Sequence, residues 1–114
     1  MKKIMFLCGF LLMISSQSYG ATLWCKGKVL NLYVSAGSGL FVKPDWGDWK
    51  FLCNLNGSSG GIESQTCNSW LSIAEISMAA DKNLIIKLEG VTGTCEEQAD
   101  NSAFPKPAYL QLIK

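Results

Sequence analysis

The sequence predicts a mostly β domain: an OB-fold, a five-stranded, partly open Greek-key barrel with one α-helix between strands three and four and two disulfides. Three observations carry that expectation. Apolar residues alternate with period two in several short segments broken by Gly, Pro, Asn and Ser. One longer segment changes to a helical period. Cysteines stand at the edges of these segments, behind a start typical of exported chains.

Residues 1–20 read as a secretory signal peptide: basic Lys2 and Lys3, the apolar run IMFLCGFLLMI, then a polar stretch ending in small residues, with cleavage after Gly20. The run falls short of the about 20 apolar residues a spanning helix needs, and no later segment is more apolar. Residues 21–114 therefore read as one small, secreted or periplasmic domain with no membrane insertion. Cys8 lies inside the apolar run and not at its end, which argues against a lipoprotein.

In the remaining chain, KVLNLYVS (28–35) alternates as a half-buried strand, with Leu30, Leu32 and Val34 on one side and Val29, Asn31 and Tyr33 on the other. The turn AGSG leads into LFVK, a second strand that Pro44 ends. WKFLC (49–53) reads as a third strand with Trp49, Phe51 and Cys53 on its inner face, and NLNGSSGG as a polar loop. Cys67, Trp70, Leu71, Ala74 and Met78 then form one helical stripe, with Ser64 or Thr66 as N-cap and Lys82 at the C-terminal end. NLIIKLE (83–89) is apolar enough for a central fourth strand, and AYLQLI (108–113) is the fifth, after an acidic loop. The main rival architecture is a helix packed on an open meander.

The barrel constrains the cysteines. Its first strand pairs antiparallel with its fourth, which sets Cys25 beside Cys95, while Cys53 and Cys67 flank the short loop into the helix. The pairing Cys25–Cys95 and Cys53–Cys67 follows, one of three connectivities open to four cysteines. Closing these loops contributes about 4 and 3 kcal/mol on the chain-entropy model. Zinc is the competing use of cysteine, but there is no CxxC pair and no histidine.

Composition excludes much chemistry. Loss of Lys2 and Lys3 leaves eight lysines against nine carboxylates, a net charge of −1, with no arginine or histidine. Without histidine the usual neutral-pH base is missing, and no nucleophile–base pair can be drawn. Asp45 with Asp48, or Glu96 with Glu97, would need a cleft holding carboxylates about 5–9.5 Å apart to act on glycosides. Solvated loop carboxylates are the simpler reading, so no enzyme and no cofactor is expected. A faintly acidic chain without arginine also lacks the cationic groove of single-strand nucleic-acid binders. DWGD and CEEQAD lack the spacing of a calcium loop, and Asn56-Gly57-Ser58 is a formal glycosylation sequon.

From Phe51 to Gly90 the chain resembles the B subunits of bacterial AB-type toxins, most closely the subtilase-cytotoxin type, and is similar to small exported proteins of Gram-negative bacteria. The resemblance rests on a strand ending at Cys53, a Gly/Ser loop, Ser64 and Cys67 opening a helix with Trp70 and Ser72, a small-residue helix end at Ala79, and an apolar strand from Leu84. It implies an OB-fold, a ring of five identical subunits, recognition of host glycans, and a catalytic toxin subunit docked on the ring. In such a ring the helix would line the pore, giving Ile73 and Ile76, off the main stripe, a second apolar contact. The alternative is a monomeric exported protein-binding module, such as a periplasmic inhibitor or immunity protein.

The segment KPDWGDWKFLC carries the candidate ligand site. Trp49 and Trp70 read as core, and Trp24 as cover for the neighbouring disulfide. No alternation claims Trp46 for the interior. With Asp45 and Asp48 it can stack on a sugar ring while the carboxylates accept from hydroxyls. Two other readings stay open for it: a ring folded over the barrel mouth, or an anchor between subunits.

Overall fold

The computed structural model describes residues 20–114; the expected signal peptide and Cys8 lie outside them, apart from Gly20. Among the described residues, six strands form two three-stranded antiparallel sheets. The first contains β1 (Ala21–Gly27), β5 (Leu84–Val91) and β6 (Tyr109–Leu112), with β5 central. The second contains β2 (Val29–Val34), β3 (Gly39–Pro44) and β4 (Lys50–Asn54), with β3 central. The helix α1 (Ser64–Ala80) stands between β4 and β5 in sequence, and a 3-10 turn (Cys95–Glu97) follows β5.

Five strands were expected and six are present. The unforeseen one is β1, whose residues ATLWCKG alternate over only Cys25 and Gly27 as buried positions. Lys28 alone separates it from β2, and across that residue the chain leaves one sheet for the other.

Both predicted disulfides are present, Cys25–Cys95 and Cys53–Cys67, each with Cα atoms 5.7 Å apart. Two disulfides fit an extracellular or periplasmic protein, and no helix among the described residues is long and apolar enough to cross a membrane.

The core lies between the sheets and under α1: Leu40, Val42 and Leu52 from one sheet, Ile86, Leu88 and Leu110 from the other, and Cys67, Trp70 and Ala74 from the helix. The buried helical stripe ends on Ser77, not Met78, which is exposed. Spacings of three, four and three from Cys67 keep Ser77 on the inner face, where its hydroxyl donates to the Lys82 carbonyl at 2.7 Å. Glu63 is the N-cap, without a side-chain cap bond, in place of Ser64 or Thr66. Asp81 closes the helix in the left-handed region, φ 55°.

A bulge changes β4. Leu40 pairs with Cys53 but Phe41 pairs with Phe51, so Leu52 is an extra residue on its strand. Leu52 and Cys53 therefore both point inward, and Phe51 turns outward with Trp49. The strand begins at Lys50, and Trp49 is half-buried outside the core cluster, against the core role its spacing suggested. Trp24 is likewise no cover for a disulfide. Strand alternation turns Cys25 inward and leaves Trp24 56% exposed, its indole 5.7 Å from the Nζ of its cross-strand neighbour Lys87.

Lys50 is fully buried. Its Nζ donates to Asp100 Oδ1 at 2.6 Å and to the Gln98 and Ala99 carbonyls at 3.2 and 3.4 Å. The rings of Trp46 and Phe104 stand 5.6 and 5.4 Å from it. Removing the counter-charge leaves a buried ammonium. Asp100→Ala should cost about 3 kcal/mol in urea unfolding, the lower end for a broken buried pair because half of Asp100 faces water. The Lys50→Met/Asp100→Ala double variant should recover much of the loss, since no ion is then left buried. A double variant weaker than Asp100→Ala alone would show that Lys50 acts through packing rather than charge.

Candidate functional site

The turn that carries Asp45, Trp46 and Asp48 joins β3 to β4. The Asp45 N–H donates to the Lys28 carbonyl at 2.9 Å, and the Asp48 carboxylate accepts the Trp49 N–H at 2.9 Å. Both aspartates are exposed, whereas Trp46 is half-buried against the core, with the Phe104 ring 6.3 Å away. The turn thus presents two carboxylates outward and its first indole inward. Trp49 is the indole that belongs to the outer aromatic surface.

That surface was missed in the sequence. Tyr33, Phe41 and Phe51 are cross-strand neighbours on the outer face of β2, β3 and β4. Tyr33 stacks on Phe41 at 4.8 Å with 8° between planes, and Phe41 meets Phe51 at 5.2 Å. Trp49 and Tyr33 meet edge to face with centroids 4.8 Å apart, so four rings form one continuous row. Tyr33 is 42% exposed and the other three are half-buried. The alternation of β2 marks Tyr33 as outward. Phe41, alternating with Leu40 and Val42 on β3, carried the same signal, whereas Phe51 and Trp49 depend on the bulge at Leu52, which no periodicity reveals.

Lys106 ends the row, its Nζ 4.6 Å from the Phe51 ring centroid. Its stem crosses Gly60, where an added Cβ would meet Lys106 Cε at 2.6 Å. On the far side of that stem lies a cleft of about 430 Å³ lined by residues 60–63, Thr66, Trp70, Glu89 and residues 106–108. Among the described residues no three Cys, Asp or Glu side chains converge as a metal site would require.

No protein-family model, no curated protein and no solved structure matches the chain. The functional reading therefore rests on this geometry and on the sequence.

The two tryptophans of the turn should separate in stability. Trp46→Ala removes a ring packed on Phe104 and the Lys50 ammonium and should cost about 3 kcal/mol, the low end for a tryptophan truncation because the ring is half-buried. Trp49→Ala, outside the core cluster, should cost less. Thermal midpoints of the two variants check the order, and a lower midpoint for Trp49→Ala would reverse it.

Proposed function

We propose that the chain is the non-catalytic binding subunit of a secreted toxin, recognising host cell-surface glycans and assembling as a homopentamer that carries a catalytic subunit. The observation that carries the reading is the outward row of Trp49, Tyr33, Phe41 and Phe51, with the Asp45 and Asp48 carboxylates on the adjoining turn. Aromatic faces in water lose solvent when they stack on the C–H face of a pyranose, and carboxylates accept from its hydroxyls.

The OB barrel belongs to the same proposal. Taking β1 and β2 as one bent strand about Lys28 leaves five, with the helix between the third and the fourth. A parallel bridge from Lys50 to Asn101 joins β4 to the segment that leads into β6, which supports closure of the barrel. Self-assembly draws support from β2, an edge strand with Leu30 and Val34 exposed, and from Ile76 and Met78 exposed on α1. Uncovered apolar groups beside a free strand edge favour a partner.

Two measurements test this. Tyr33→Ala should lower glycan affinity at least tenfold, about 1.4 kcal/mol, while shifting the thermal midpoint little. Light scattering on the unmodified protein should give five times the chain mass. A monomer that binds no glycan would favour the exported protein-binding module instead.

A further inference from the structure

We propose that the cleft beside Lys106 is a subsite for one neutral sugar ring, an uncharged hexose or N-acetylhexosamine, and that it rejects acidic sugars. The inference rests on the glycan reading above and adds to it a place and a ligand class.

The cleft has the size of a small-ligand site, since such pockets begin at roughly 300 Å³. Trp70, only 6% exposed, supplies an apolar wall. Gly60 and Gly61 hold φ of 59° and 86°, a conformation that favours glycine, and a Cβ on Gly61 would meet nothing within 4 Å. At Gly61 the rim of the cleft is bare backbone, open to close approach, while the Lys106 stem covers Gly60.

The polar groups around it match hydroxyls rather than a single charge. The Thr66 hydroxyl both donates and accepts, and the carboxylates of Glu63 and Glu89 accept. The first-turn amides of α1 have no intrahelical acceptor, and the N-cap Glu63 gives them no side-chain bond. A neutral pyranose carries hydroxyls that do both, and the exposed margin of the Trp70 ring gives its C–H groups an apolar contact.

Charge sets the class. Lys106 is the cation lining the cleft, and its ammonium sits over the Phe51 ring with only its stem along Gly60. Glu89 lies 3.1 Å from Lys87, which draws part of its charge, but Glu63 remains on the rim. A sugar carboxylate entering here would meet two carboxylates against the single ammonium of Lys106, and that excess of like charge in a partly desolvated cleft opposes binding.

The test is amide and indole NMR on the isotope-labelled protein, titrated separately with methyl β-galactoside, N-acetylglucosamine and N-acetylneuraminic acid. A neutral sugar should shift Gly60, Gly61, Thr66 and the Trp70 indole, and N-acetylneuraminic acid should leave them in place. The Thr66→Val and Glu89→Gln variants, both at exposed positions, should bind the neutral sugar at least tenfold more weakly with unchanged thermal midpoints. Shifts confined to Tyr33, Phe41 and Phe51 would overturn the cleft while leaving glycan recognition standing. Cleft shifts with N-acetylneuraminic acid would overturn the ligand class. An absence of shifts with all three sugars would overturn both the subsite and the glycan reading.

Discussion

The ammonium of Lys50 holds the two sheets in their relation to each other. It is anchored on β4, in the second sheet, but every group that satisfies it lies elsewhere: Asp100 and the Gln98 and Ala99 carbonyls on the segment after β5, and Trp46 on the preceding turn. A buried ammonium has no low-energy alternative to such partners, because desolvation without them costs several kcal/mol. That segment is tied at its other end by Cys95 to Cys25 in β1. Asn101 completes the arrangement, its N–H donating to the Trp49 carbonyl at 2.7 Å and its carbonyl accepting from Phe51 at 3.2 Å. The chain between β5 and β6, which reads as an acidic loop, is thus fixed to both sheets. It seals the free edge of β4 and delivers Phe104 and Lys106 to their places.

What could be read in the sequence followed from rules of spacing. Both disulfides were legible from where the cysteines flank the segments, although the strand that pairs with β5 is β1, which carries Cys25, and not residues 28–35, which pair with β3. The helix was legible because a period near 3.6 survives a single serine in its stripe, although that serine, Ser77, was passed over in favour of Met78. β1 was hidden because its inward positions are a half-buried Leu23, Cys25 and Gly27, a weak apolar alternation. Lys50 was hidden because a lysine in a strand normally faces water, and nothing local announces that an aspartate fifty residues later will meet it.

The two tryptophans of the turn show how one residue can invert a site. Without the bulge at Leu52, Trp49, Phe51 and Cys53 would share a face, and the disulfide would have drawn both rings inward. With it, Cys53 reaches the helix while Phe51 and Trp49 join Tyr33 and Phe41 outside. Trp46, for which no strand alternation made a claim, takes the inner place over Lys50 and Phe104. The candidate residues Asp45, Trp46 and Asp48 were read as one grip. The fold divides them, with the carboxylates at the surface and the indole in support of the turn.

The charge distribution bears on how such a surface recognises anything. The chain after residue 20 is near neutrality, and Lys28, Lys50 and Lys87 are each drawn to a carboxylate within 3.1 Å. Little net field remains to steer a charged partner from a distance. The proposed glycan recognition would then come from contact, through the outward rings, the bare backbone of Gly61 and short-range hydrogen bonds. Lys106 shows the consequence in one side chain. Its ammonium lies over an aromatic face and its methylene stem forms a wall, so a residue that composition counts only as a charge also supplies shape at the proposed site.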